Sequence, residues 1–313
     1  MATTPTSQKV GTFGSAFIRG SLEHLKLPES TKTLIQDSWR ESTRSQYNSV
    51  LRGWGSFCLE RQTNPTSPSI EDVLVYLTSL YEQGLQYNTI CTARSALSGI
   101  LHIPGVPKLS DHPLIQRLLK GIYHNRPPKP RYTCIWDTSK MINYLASLHN
   151  ESLDFKMISY KCVTLLTILA GQRISTLHKF RLSLMQNTDS MTLFQISDLL
   201  KHSTPRYRGK PIKYRSYPHN KELCPVHTIR VYISRRNTLL TGNDNDSFFC
   251  CHRKPYGPAS SDTLARWVKD TMKLAGIDVS IFGAHSCRAA STSKAFQKGH
   301  TGSRPMDIRF QFF

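Results

Sequence analysis

The sequence divides at residues 125–133, NRPPKPRYT, a stretch that holds three prolines and three basic residues. Proline fixes its own φ and has no N–H to donate, so a run this dense forms neither a helix nor a central strand. We interpret the stretch as an extended, basic linker. The 313 residues of the chain are enough for two compact cores, one on each side. The linker therefore predicts two domains.

On the N-terminal side, apolar side chains recur at three- and four-residue steps, the period of an amphipathic helix. In one helix Ser69 precedes acidic residues and Gly84 follows the last apolar position, which are start and stop signals. In the last helix Leu114, Leu118 and Ile122 are predicted to face the core. The helical segments are 43–62, 69–84, 86–103 and 112–126.

The N-terminal domain is therefore predicted to be an all-helical bundle over residues 29–124. Residues 1–28 are rich in Thr, Ser and Gly and show no sustained period, so we expect a disordered arm.

The second domain, residues 134–298, mixes helical periods with two strand-like segments, 192–200 and 212–218. A turn-rich basic segment, 201–211, joins the two strands as a hairpin. We expect a mainly α protein with a small antiparallel sheet, followed by an atypical tail at 299–313. The predicted helices cover 138–150, 154–171, 224–240, 260–276 and the late segment from residue 285.

The charge of the chain points to a polyanionic partner. It has 41 Lys and Arg against 21 Asp and Glu, a formal charge of +20, which favours nucleic acid over a membrane surface. A merely basic soluble protein is the alternative. Residues 201–216 hold six Lys or Arg and no acid, interleaved with Tyr207 and Tyr214, with Tyr217 just beyond, which suits backbone contacts and base stacking. A solvated edge hairpin, whose charges discourage aggregation, would also be basic. The candidate contacts are Arg206, Arg208, Lys210, Lys213 and Arg215, with Lys129 and Arg131 of the linker.

The compartment is predicted to be the nucleus or the cytoplasm. The first residues lack the apolar stretch of a signal peptide, so we do not expect secretion. The longest apolar run, 163–171, is too short to span a membrane. The eight cysteines are scattered, which suits a reducing compartment.

Three places carry groups suited to binding a phosphodiester. Arg173 follows the apolar run, so its guanidinium has a fixed base and can bind an anion in bidentate fashion; pairing with a helix C-terminus is the alternative. Lys201 stands where a strand is predicted to end. His285 and Arg288, in HSCRAASTSKAF (285–296), are predicted to share one face of a helix.

In this order the four residues resemble the tyrosine recombinase (phage integrase) family, over residues 30–298. The stretches LLKHSTP (199–205), LCP (223–225) and HSCRAASTSKAF are most similar to recombinases of DIRS-type retrotransposons. The resemblance implies a helical core-binding domain, an α+β catalytic domain, double-stranded DNA as partner, DNA recombination and integration, and a possible homo-oligomer on DNA. It implies no cofactor and no metal.

By this resemblance Arg173, Lys201, His285 and Arg288 are the catalytic residues. The two arginines would hold the non-bridging oxygens, each contributing about 3 kcal/mol, the scale of a preorganised oxyanion donor. Lys201 would protonate the departing 5′ oxygen, and His285 would donate a hydrogen bond or shuttle a proton. The nucleophile would be a tyrosine phenolate that forms a protein–DNA link.

The sequence departs from the family pattern in two places. No tyrosine follows Tyr256, and Thr176 stands where family members often carry an acidic residue. We therefore expect a protein that holds a phosphate and does not cut the strand. A truncated or misread product, a repurposed non-catalytic binding protein, and a tyrosine supplied by an active partner protomer are three explanations.

A zinc-containing interaction protein is the alternative from another class. Cysteine and histidine are the usual zinc ligands, but only one half of the set has the usual two-residue spacer. Buried cysteines that pack as plain hydrophobes explain the same residues. The candidate ligands are Cys224, His227, Cys250, Cys251 and His252.

Overall fold

The computed structural model of the chain describes residues 19–297, except 21, 23, 24, 104, 107, 131, 201, 202, 205, 207, 208 and 241–244, and except the side chains of 295–297. The predicted tail, 299–313, and residues 1–18 of the predicted arm lie outside the described residues. The chain divides into two compact units between Pro130 and Arg131, within the proline-rich stretch 125–133.

The first unit is helical, with one 3-10 turn at Leu109–Asp111. Its core is made by α2, α3, α4 and α5, whose apolar faces form one buried cluster. Trp54 lies at the centre of this cluster, fully buried, and its indole N–H donates to the Pro65 carbonyl at 2.8 Å. The helices are α1 (Glu29–Gln36), α2 (Glu41–Glu60), α3 (Ile70–Glu82), α4 (Tyr87–Ser98) and α5 (Pro113–Asn125).

The predicted inward face of α5 is confirmed at Ile122 and was wrong at Leu114. Leu114 is 46% exposed, whereas Ile115, Leu119 and Ile122 are buried and Leu118 is partly buried. The buried residues also follow a four- and three-residue spacing, so the period alone allowed both faces. Packing against α3 and α4 selects the face that carries Ile115.

The predicted arm, 1–28, is also corrected where it is described. Leu22 packs against the core of the first unit, and its N–H donates to the Arg19 carbonyl at 3.0 Å. An apolar side chain in contact with the core gains from leaving water, which the polar composition of the arm obscured.

The second unit is built around α7, a helix that is buried on all sides from Ile158 to Ala170. Helices α9, α10 and α11, the short α8 and strand β3 all contact it. Two 3-10 turns, Asn150–Ser152 and Lys221–Leu223, accompany these elements. The helices are α6 (Thr138–Ser147), α7 (Phe155–Ala170), α8 (Ile174–Leu177), α9 (Pro225–Leu239), α10 (Ser261–Leu274) and α11 (Ser286–Gln297).

The sheet of the second unit has three antiparallel strands in the order β1-β2-β3. The predicted strand 192–200 is shorter than expected, because β2 ends at Phe194, which pairs with Ile212. The next residue on the partner side is Pro211, which has no N–H to continue the ladder. The sequence did not predict β1, which is polar and three residues long. The strands are β1 (Met185–Asn187), β2 (Met191–Phe194) and β3 (Ile212–Arg215).

The predicted class, mainly helical with a small antiparallel sheet, is confirmed. In the described part of the chain, no helix has the length and apolarity of a membrane span.

Candidate nucleic-acid interface

Arg173 lies at the junction between α7 and α8. Helix α7 ends at Gly171, whose φ of 52° is left-handed, and Arg173 is the N-cap residue of α8. The Arg173 carbonyl accepts the Thr176 N–H at 2.8 Å and the Leu177 N–H at 3.3 Å. The backbone of Arg173 is therefore fixed by a buried helix on one side and a capped turn on the other. Its side chain is half-buried and keeps access to solvent.

His285 and Arg288 lie at the start of α11, and both are exposed. The prediction that both stand within one helix was wrong for His285, which occupies the turn directly before Ser286. The first turn of α11 is held from inside: the Trp136 indole N–H donates to Ser286 Oγ at 2.8 Å, and Cys287 is buried against Met272. Anchoring of the two middle residues leaves His285 and Arg288 facing outward.

The elements that carry these three residues meet at α7. Both α8, which follows Arg173, and α11, which follows His285 and carries Arg288, pack against this buried helix. Arg173 and Arg288, which are 115 positions apart in the sequence, are thus attached to one rigid support. The structure describes three of the four predicted catalytic residues, since Lys201 lies outside the described residues.

The basic hairpin is described in part. Arg206, Lys210, Lys213 and Arg215 are exposed, whereas Arg208 and Tyr207 lie outside the described residues. Burial alternates along β3, so Lys213 and Arg215 extend from the outward face of the sheet. The strand thus offers its cations to solvent on one face.

The expectation that Tyr214 stacks on a base was wrong. Its ring is 1% exposed, and its hydroxyl donates to the Leu166 carbonyl at 3.2 Å. Ile212 and Tyr214 alternate along β3 with Lys213 and Arg215, so they lie on the opposite face of the strand, which packs in the core. Tyr217 is half-buried and contacts the ring of His219 at 5.5 Å. In the linker Lys129 is exposed, and Arg131 lies outside the described residues.

One ion pair near the site was missed by the sequence reasoning. Lys179 Nζ lies 3.3 Å from Asp198 Oδ2, which joins the segment after α8 to the loop between β2 and β3. Thr176, where the resemblance expects an acid, is 3% exposed. The periodicity of a sequence indicates local structure only, so it could not predict the contact between Lys179 and Asp198.

The candidate zinc ligands have other partners. Cys224 Sγ accepts the Tyr217 N–H at 3.3 Å, and His227 Nε2 lies 3.4 Å from Glu151 Oε1. His252 stacks on Trp267 with ring centroids 4.1 Å apart. Burial, together with the positive charge of Lys156, lowers the pKa of His252 to about 4. Across the part of the chain that the structure describes, no three His, Cys, Asp or Glu residues form a group that could hold a metal ion.

Neither a known protein-family profile nor a curated protein sequence matches this chain. Solved structures do match. The Tn1549 transposon integrase in complex with transposon right end DNA gives a TM-score of 0.56 at 12% identity, over 95% of this chain and 90% of its own. The fold is that of the tyrosine recombinases.

Two further recombinases support the likeness. The XerH site-specific recombinase bound to palindromic difH substrate gives a TM-score of 0.56 at 13% identity, over 96% of this chain and 88% of its own. A lambda integrase tetramer bound to a Holliday junction gives 0.50 at 15% identity, over 94% and 75%. The likeness spans both units of the chain, and at these identities it concerns the fold.

Proposed function

We propose that this protein binds double-stranded DNA as a recombinase of the tyrosine type. The observation that carries the proposal is the attachment of Arg173 and of the His285–Arg288 pair to one buried helix, α7, in this fold. The solved structures of this fold include integrases and a recombinase in complex with DNA. The formal charge of +20 is of the sign that a DNA-binding surface requires.

In the proposed site Arg173 and Arg288 hold the non-bridging oxygens of one phosphate. A guanidinium presents a planar set of donors that matches a phosphate. Arg173 is half-buried and Arg288 is exposed, so both side chains are accessible to DNA. His285, at the start of α11, donates a hydrogen bond to the same phosphate. Lys201 protonates the departing 5′ oxygen in this proposal.

The proposed backbone contacts come from the outward face of β3 and from the loop before it. Lys213 and Arg215 are exposed there, with Arg206 and Lys210 on the loop. Phosphate contacts of this kind position a protein on DNA without reading its sequence. Arg208, Arg131 and the exposed Lys129 complete the proposed set.

We assign residues 29–124, within the first unit, as a core-binding domain and residues 134–298 as the catalytic-type domain, with 125–133 as the linker. The resemblance to DIRS-type retrotransposon recombinases supports a nuclear protein that assembles as a homo-oligomer on DNA. That resemblance rests on the motifs at 199–205, 223–225 and 285–296.

The 313-residue polypeptide is proposed to bind DNA without cleaving it. After Arg288 it contains no tyrosine, the residue type that would attack the phosphorus.

DNA binding is tested by fluorescence anisotropy with a labelled duplex at several KCl concentrations. We expect log Kobs to fall linearly with log salt, with a slope of about −0.9 for each phosphate contacted. A complex with about 5 phosphate contacts would thus give a slope near −4.5. An affinity that is independent of salt would contradict the proposal.

Cleavage is tested separately with a nicked duplex. Incubation followed by denaturing electrophoresis should show no covalent protein–DNA adduct. An adduct would refute the cleavage-deficient assignment while leaving DNA binding intact, and replacement of Tyr256 with Phe would then identify or exclude that residue as the nucleophile.

A further inference from the structure

The loop between β2 and β3, which carries several of the proposed phosphate contacts, is held at its base by three contacts. The first is an aromatic stack. Phe194, the last residue of β2, stacks on Phe180 with ring centroids 4.0 Å apart and planes 8° apart, and both rings are fully buried. Phe180 belongs to the segment that follows Arg173 and α8. The stack therefore fixes the point at which the loop begins relative to that segment.

The second contact closes the loop on itself. Leu200 is buried, and a Cβ added at Gly209 would lie 3.6 Å from Leu200 Cδ1. The outgoing and returning segments of the loop are therefore close together at its base. The Leu200 N–H donates to Ser203 Oγ at 2.8 Å, and the Ser203 N–H donates to the Leu200 carbonyl at 2.9 Å. Leu200 and Ser203 are therefore held to each other by two hydrogen bonds.

The third contact is the ion pair between Lys179 Nζ and Asp198 Oδ2 at 3.3 Å. Asp198 is the only acid between residues 190 and 221, a stretch that holds seven Lys or Arg. A carboxylate within a surface that binds a polyanion repels it, so on electrostatic grounds alone Asp198 opposes DNA binding. It lies between the stacked Phe194 and the buried Leu200, where its partner Lys179 joins it to the segment after Arg173.

We infer that Asp198 is a positioning residue, which holds the β2–β3 loop against the Arg173 segment through Lys179 so that the cations of the loop and Arg173 face the same DNA. This inference rests on the proposed function. It extends the site to a pair that neither contacts the phosphate nor takes part in the reaction. The side chains are 31% and 39% exposed, so the pair is partly screened and contributes little to global stability.

The sign of one measurement separates the two roles of Asp198. Replacing Asp198 with Asn removes a negative charge, and electrostatics alone then predicts tighter DNA binding. Loss of positioning predicts the opposite. We expect Asp198→Asn to weaken duplex binding by about twofold or more and to reduce the magnitude of the salt slope by about 1, the effect of one lost phosphate contact. Unchanged or tighter binding would overturn the inference.

Two further variants test whether Asp198 acts through Lys179. Asp198→Glu keeps the charge and should restore affinity to near the wild-type value. In a Lys179→Met background the pair is already lost, so Asp198→Asn should no longer weaken binding, and removal of the negative charge should strengthen it. Equal weakening in both backgrounds would overturn the role of Lys179.

The matched control is Asp189, an exposed acid in the turn before β2 that pairs with Arg230 at 2.7 Å. Asp189→Asn removes the same charge from the other end of the strand, and we expect no weakening. Weakening equal to that of Asp198→Asn would show a general effect of lost acids and would overturn the inference. Thermal unfolding of every variant should stay at the wild-type midpoint.

The outcomes also separate this inference from the proposed function. If the wild-type protein shows no salt-dependent DNA binding, the proposed function fails and the inference fails with it. If the wild-type protein binds with a steep salt slope and Asp198→Asn binds more tightly, only the positioning role of Asp198 is refuted.

Discussion

His252 shows how burial sets the protonation of a single side chain. Its ring stacks on Trp267 and also contacts Phe155 and Tyr160, with centroids 5.8 and 5.6 Å away. Burial lowers its pKa from 6.5 to about 4, with a further contribution from Lys156 that Asp154 opposes. The imidazole is therefore neutral in the folded protein at neutral pH. A neutral, stacked ring serves the aromatic core of the second unit.

The folded protein should lose stability as pH falls from 6.5 to 4. In this window the unfolded chain binds a proton at His252 that the folded protein excludes. The free energy of unfolding therefore decreases as the pH decreases. With allowance for solvent screening, the loss from this residue is about 1–2 kcal/mol.

The variant His252→Phe keeps an aromatic ring against Trp267 and removes the titration. In urea denaturation, its free energy of unfolding relative to wild type should rise by about 1–2 kcal/mol as the pH falls from 6.5 to 4. A relative stability that does not change with pH would contradict the lowered pKa.

The sequence predicted the candidate site unevenly at this scale. Arg173 was predicted from a local pattern, an apolar run that ends in Gly171, and the structure places it at a capped helix junction. Its role at a phosphate remains a prediction. The pair of Lys179 and Asp198 could not be predicted, because 19 residues separate them and only tertiary packing brings them within 3.3 Å.

Helix α3 shows how a short signal fixes an element. Ser69 Oγ accepts the Asp72 N–H at 3.1 Å, and Asp72 Oδ2 accepts the Ser69 N–H at 3.2 Å, a reciprocal capping box. The helix begins at Ile70, as the serine and the acids of its first turn predicted. Two N–H groups that no helical carbonyl can reach are thus satisfied.

Removal of this cap should destabilise the first unit. Ser69→Ala leaves the Asp72 N–H without its acceptor and should cost about 1 kcal/mol of the free energy of unfolding. Ser69→Asn keeps an oxygen acceptor and is the control. Urea denaturation followed by tryptophan fluorescence measures both, and an equal loss in the two variants would contradict the capping role.

At the scale of elements, periodicity predicted the helices better than the strands. A helix such as α2 repeats its apolar face over 20 residues, and Leu51, Trp54 and Cys58 on that face are buried. Strand β1 has three residues, Met-Gln-Asn, with no apolar alternation to detect. It forms because it pairs with β2, so its formation depends on the partner strand and not on its own sequence.

The whole molecule joins a strongly basic chain to a fold shared with recombinases. A net charge of +20 is self-repulsive, and binding of a polyanion offsets that repulsion. The two units have separate apolar cores, so each can be tested for DNA binding by substitutions in its own surface. The central claim belongs to the second unit: Arg173 and Arg288 hold one phosphate.

A double-mutant cycle in DNA affinity tests this claim most directly. Anisotropy at one salt concentration compares wild type with Arg173→Ala, Arg288→Ala and the double variant. In the control cycle Arg230→Ala replaces Arg288→Ala, since Arg230 pairs with Asp189. Two arginines on one phosphate should be coupled by at least about 0.5 kcal/mol, whereas the control pair should be additive. Additive losses for Arg173 and Arg288 would contradict a shared phosphate.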